Sequence, residues 1–247
     1  MSGVALIGLD CATQPKHVGL AVARLDGGRV TVTEARVARS HGDLAATLAA
    51  WLAEAPAVWA LDAPLGWPAE MARLAGHRAG AALGVEANVF FRRETDRFVQ
   101  RRLGKTPLDV GADRIARTAL AALATLDAVR QAVPVALGWT PGAVAGRQAV
   151  EVYPAATLKS LGIDARGYKR PEATDRRAEI LDALTQTTGL AVSGAARAAA
   201  VATDHVLDAV LCCVAAADYA RGDVWAPEDA DLARREGWIW VRPQQKA

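Results

Sequence analysis

Residues 4–9, VALIGL, are apolar without a break and stop at Asp10, the pattern of a strand buried on both faces. Two further runs follow, HVGLAVARL at 17–25 and RVTVTEARVA at 29–38. They are joined through Asp26, Gly27 and Gly28, which tolerate positive φ and so predict a hairpin. Three strands therefore open the fold as an antiparallel meander. Within 43–54, Leu44, Leu48, Trp51 and Leu52 recur at helical spacing, and the apolar AVWAL beyond them ends in Asp62. A helix linking two strands favours a right-handed crossover, so the fourth strand should run parallel to the first, with Asp10 and Asp62 at one carboxyl edge.

From Pro64 to about Gly146 the chain is rich in Ala, Leu and Arg, with turn signals at 104–107 and 141–142, and reads as a mostly helical insertion. The alternating QAVEVY supplies a fifth strand. Helices are expected near 155–161 and 171–188, closed by Gly162 and Gly189, and Thr203 can cap a last long helix from Asp204 to about Tyr219. The expectation is one α/β domain over 1–247: a mixed five-stranded sheet, meander first and parallel strands after, flanked by helices and carrying the insertion at about 64–146.

Composition narrows the function classes. Hydrophobic residues at 52% and charged residues at 23% exclude a disordered chain. No apolar run approaches the ~18 residues of a membrane span, and the N-terminus lacks a basic leader. Neither membrane insertion nor export is expected. Cys11, Cys212 and Cys213 form no CxxC pair, which argues against a zinc site or disulfide framework and fits a reducing cytoplasm. A net charge of +2 gives no whole-molecule field for polyanions, so any nucleic-acid contact needs a local patch. Oligomeric state is not legible.

The candidate chemistry is acidic. Asp10 and Asp62 both end buried strands, where an ionised carboxylate is costly without a cation or hydrogen-bond donors. Asp204 and Asp208 are four apart on one helical face and repel unless a cation compensates. The plainer reading has Asp204 complementing a helix dipole and Asp62 opening the turn Asp-Ala-Pro. Glu151, between Val150 and Val152, points either to the same edge or to solvent. Hard ions such as Mg²⁺ or Mn²⁺ take oxygen ligands and support phosphodiester hydrolysis. Arg93, Arg97 and Arg101 fall on one face of FFRRETDRFVQRRLGK, and Lys169 lies in GYKRP. These are candidate phosphate ligands, the alternative being a solvated basic face tied to Glu94 or Asp96. His205 adjoins the acidic pair as a proton carrier or as a structural residue. No GxSxG elbow or phosphate-binding glycine loop is present.

The segments GLDCATQPKHVGLAV, ALDAPLGWP, FRRETD, VEVYPAATL and DHVLDAVLCCVAA, in this order, resemble the predicted ribonuclease H-like nuclease family known as domain of unknown function 429. The resemblance implies a ribonuclease H-like fold and a metal-dependent nuclease acting on DNA or RNA. Following the related Holliday-junction resolvases, it makes Asp10 the first-strand acid, Asp62 the fourth-strand acid, and Asp204 with Asp208 the final-helix pair. It also places Arg93, Thr95 and Asp96 in a recurrent motif. Two rivals stand beside it. A phosphotransferase of the actin and sugar-kinase type would need two such domains, and a non-catalytic nucleic-acid or protein-binding module would need no complete acidic cluster.

Overall fold

The computed structural model describes residues 3–111 and 113–244. The strands β1 (Val4–Asp10), β2 (Gly19–Asp26) and β3 (Arg29–Val37) form the antiparallel meander, turning through Gly27 and Gly28 at positive φ. Helix α1 (His41–Trp51) is capped by the Ser40 side chain, which accepts from the Asp43 N–H. It crosses over to β4 (Ala57–Asp62), parallel to β1 in a register that sets Asp10 beside Asp62.

Residues 64–146 hold α2 (Ala87–Phe91), α3 (Glu94–Leu103) and α4 (Asp113–Arg130), separated by irregular stretches, and then β5 (Ala136–Leu137). The chain continues through β6 (Arg147–Glu151), α5 (Pro154–Ser160), α6 (Thr174–Thr188), β7 (Ala191–Val192) and α7 (Gly194–Ala202). It then forms α8 (Asp204–Arg221) and α9 (Ala230–Glu236). Among the described residues the sheet has seven strands in the order β5-β6-β4-β1-β2-β3-β7, not the five expected. Both additions, β5 and β7, are two residues long and pair in parallel at the sheet's edges. Pairs this short carry no alternation for a sequence pattern to reveal.

Strand alternation divides the core. Ile7, Leu9, Trp59 and Leu61 pack with Leu44 and Leu48 of α1 and Leu126 of α4. On the other face Leu6, Ala21, Val58 and Ala60 pack with Val206, Val210 and other residues of α8. Nearly every residue of α8 after its first turn is buried, as expected of a helix apolar all round. It can lie this close because the sheet offers glycines beneath it: a Cβ at Gly8 would strike the Ala209 carbonyl, and one at Gly19 the His205 carbonyl. Among the described residues no helix is long and apolar enough to cross a membrane.

Candidate metal centre

Parity carries the strand acids to α8. Asp10 and Asp62 share the phase of Gly8 and Ala60 and point to the face that α8 covers. One turn into α8, Asp208 meets them. Oxygens of Asp10, Asp62 and Asp208 all lie within 4.8 Å of one another. Ligands sharing one cation through bonds of about 2.0–2.6 Å are up to roughly 4–5 Å apart, so the spacing suits a divalent ion. The donor set is wholly carboxylate, as a hard cation requires.

The protein itself neutralises little of this charge. Burial, then repulsion from Asp208, holds the Asp10 carboxyl well above the ordinary range, against the pull of Lys169. Asp62 is raised well above that range by burial, then by Asp10 and Asp208. Its carboxylate accepts no protein hydrogen bond among the described residues. Asp208, 1% exposed, is raised by burial despite Lys169 and Tyr168, both of which favour its charged form.

Those two supports come from one loop. The Tyr168 hydroxyl donates to Asp208 Oδ1 at 2.7 Å. Lys169 Nζ lies 2.7 Å from Asp208 Oδ2, a charge contact without the alignment of a hydrogen bond. Burial opposes the Lys169 charge, but Asp208 and Asp62 more than offset it and raise its affinity for the proton. The loop is anchored by the buried Arg177 of α6. Its guanidinium donates to the carbonyls of Tyr168, Arg170 and Pro171 and to those of Val201 and Ala202, just before α8. One side chain thus ties the loop bearing Tyr168 and Lys169 to the start of the helix bearing Asp208. Neither Tyr168 nor Arg177 stood out in the sequence, although an aromatic inside the polar stretch GYKRP was a signal for the first.

His205 Nδ1 is 2.8 Å from Asp10 Oδ2, and its Nε2 is 3.2 Å from His17 Nδ1. If His205 donates to Asp10 as the neutral tautomer, its Nε2 accepts and His17 must donate. The pair fixes the orientation of Asp10 and links it to the surface. Asp204 opens α8 and contributes only through its field on Asp10 and Asp208, outside the three converging carboxylates.

Glu151 takes a different course. Its register partner is Leu61, so it falls on the sheet face opposite Asp62. There both its oxygens accept from Arg93, at 2.7 and 2.8 Å, and one also accepts from the Leu65 N–H. Arg93 donates in turn to both oxygens of Asp96 and to the Glu236 carbonyl, which engages all five of its N–H groups. Arg97 and Arg101 are both held by Glu94.

A cavity of about 670 Å³ opens over Asp10 and Asp62 and reaches Arg93, Glu151, Tyr168 and Lys169, but not Arg97 or Arg101. Cys11 also lines it. Burial and the nearby Asp62 and Asp10 push that thiol well up, which disfavours the thiolate form.

Comparison with the curated proteins found no match, and comparison with the solved structures found none. The family model described as "Protein of unknown function (DUF429)" matches residues 8–232, from β1 into α9 and across the whole acidic site, and the chain belongs to that family.

Proposed function

We propose that this chain is a ribonuclease H-like, metal-dependent phosphodiesterase that cleaves nucleic-acid-type phosphodiesters, with Asp10, Asp62 and Asp208 holding Mg²⁺ or Mn²⁺. The observation that carries the reading is the convergence of three carboxylates, drawn from β1, β4 and α8, with oxygens within 4.8 Å of one another and one ammonium, Lys169, in contact with Asp208. The meander followed by the parallel β4 and β6 supports the fold assignment. A bound divalent ion supplies Lewis acidity toward a phosphoryl oxygen and lowers the pKa of water.

The chain's own residues do the rest. Tyr168 and His205 fix Asp208 and Asp10, so that their oxygens face the shared position without reorganisation. Lys169 carries a positive charge at the edge of the site, suited to a phosphate oxygen. Glu151 and Asp96 hold Arg93 and, through it, the wall of the cavity. The proposed setting is a reducing cytoplasm, which keeps the three free cysteines as thiols.

The test is Mn²⁺ titration by calorimetry of wild type and Asp62→Asn, with cleavage of bis(4-nitrophenyl) phosphate and of labelled single-stranded DNA and RNA. The variant should bind Mn²⁺ at least about tenfold more weakly, since loss even of an indirect ligand contact costs 10- to 100-fold, and should lose cleavage. Equal Mn²⁺ affinity in the two proteins would remove the triad as the metal site. Binding without cleavage of any of these esters would favour a non-catalytic module.

A further inference from the structure

The arginine-rich α3 segment offers no track for a nucleic-acid backbone. Arg92 pairs with Asp109, Arg93 with Glu151 and Asp96, Arg97 and Arg101 with Glu94, and Arg102 approaches Glu228. Every guanidinium of the run is matched by a carboxylate, so a strand laid along it would have to displace internal partners. Lys105, at the end of the segment, is different. It lines the cavity over Asp10 and Asp62, as do Lys169 and Arg170 from a second loop, and Lys105 and Arg170 have no carboxylate partner among the described residues.

The cavity has two characters. Its lining includes the carboxylates Asp10 and Asp62 and these cations, the chemistry of a phosphate site. It also includes the apolar Pro107, Leu108, Ile115, Val152 and Ala155 and the ring of Tyr153. About 670 Å³ is the size of a small-molecule site. Asp10 is 8% and Asp208 1% exposed, so the carboxylates lie recessed, and a phosphate that meets them has its nucleoside beside the cavity walls.

We propose that this cavity takes a single nucleotide, free or as the terminal residue of a single strand, with its phosphate toward the triad, Lys105 and Lys169 and its base against the apolar walls. The assignment rests on the phosphodiesterase reading: a strand terminus, which carries a diester, is the substrate, and the free nucleotide, which carries only a monoester, is the product that hydrolysis of that diester releases. The cavity is too small to enclose a duplex, and among the described residues the α3 run offers it no unpaired guanidinium.

The full chain should be titrated with thymidine 5′-monophosphate, ribose 5-phosphate, a 12-nucleotide single strand and a 12-base-pair blunt duplex, in Mn²⁺ and again in EDTA. Variants are Leu108→Asp, at a residue 70% exposed where folding is not at risk, and Ile115→Trp, which fills the cavity. Thymidine 5′-monophosphate should bind at least about tenfold more tightly than ribose 5-phosphate, and the single strand at least about tenfold more tightly than the duplex, each a difference of about 1.4 kcal/mol. Both variants should weaken nucleotide binding by a similar factor and leave Mn²⁺ binding unchanged. Preference for the single strand over the free nucleotide supports a strand terminus as substrate; the reverse would keep the nucleotide site and overturn the terminal diester as its substrate. Equal binding of ribose 5-phosphate, equal or tighter binding of the duplex, or indifference to both substitutions would overturn the proposal. Nucleotide retained in EDTA by a chain that fails to bind Mn²⁺ would refute the metal reading and leave the nucleotide site standing.

Discussion

Glu151 and Asp96 border the same cavity as Asp10 and Asp62, yet the two sets of carboxylates are balanced in opposite ways. Around Arg93 each oxygen has a donor and each guanidinium N–H an acceptor, a network closed within the protein. Around Asp62 three carboxylates face one ammonium, and that ammonium belongs to a side chain 57% exposed. The first arrangement is a finished piece of structure; the second is short of positive charge. Buried acids therefore do not by themselves mark a metal centre, and the deciding quantity is how many of their lone pairs the chain already satisfies.

The largest effect should come from opening the closed cluster. Arg93→Met leaves Glu151 and Asp96 buried without their counter-ion, and loss of one partner of a buried pair costs about 3–5 kcal/mol. Chemical denaturation should show that loss, or an unfolded chain. A change below about 1 kcal/mol would mean that water reaches these groups and that the contrast drawn above is wrong.

A smaller effect of opposite meaning is expected at Lys169. Lys169→Met removes the ammonium that competes with a cation for the buried Asp208, so Mn²⁺ should bind about two- to fivefold more tightly, as fits a pair whose ammonium side is about half exposed and worth up to roughly 1 kcal/mol. Calorimetry decides this. Weaker Mn²⁺ binding in the variant would show that Lys169 organises the site instead of occupying it.

The smallest effect concerns pH. A carboxyl whose folded-state affinity for protons exceeds its unfolded value near 4 keeps its proton longer in the folded chain, so metal-free stability falls as pH rises above that value. Glu94 and Asp43 are shifted the other way by their arginine partners, and their contribution is complete by about pH 5. Asp218, raised by burial to about 6, adds to the fall in any variant. Melting temperatures in EDTA between pH 5 and 8 should thus decline in wild type and decline less in Asp62→Asn. Parallel curves would place the titration outside the triad.

Much of this arrangement is legible in particular residues. The apolar runs ending in Asp10 and Asp62, with a helix between them, predict neighbouring parallel strands, and β1 and β4 take that register. Thr203 caps α8 as its sequence suggests, accepting from the His205 N–H. The edge strands β5 and β7 are not legible, because two residues carry no periodicity. The path of Glu151 is equally hidden: in a strand, the side that a residue faces follows from its register with a neighbour, and the Leu61 pairing sets it apart from Asp62. Arg93 and Arg177 look alike in the sequence, one within FRRETD and one within DRRAE, yet the first closes on carboxylates and the second on five carbonyls.

The sequence by itself determined the order of the elements, the buried character of β1, β4 and α8, and the presence of an acid at the end of each strand, since these follow from local patterns of apolar and polar residues. Beyond the pairing of Asp10 with Asp62 at one sheet edge, the tertiary structure decided which charges meet and which are neutralised. Asp208 reaches Asp10 and Asp62 because α8 settles onto Gly8 and Gly19, and Lys169 joins them because Arg177 holds its loop to the head of that helix. The triad itself joins positions 198 residues apart, Asp10 and Asp208. Their strength depends on burial and on competing partners, quantities that exist only once the chain has folded.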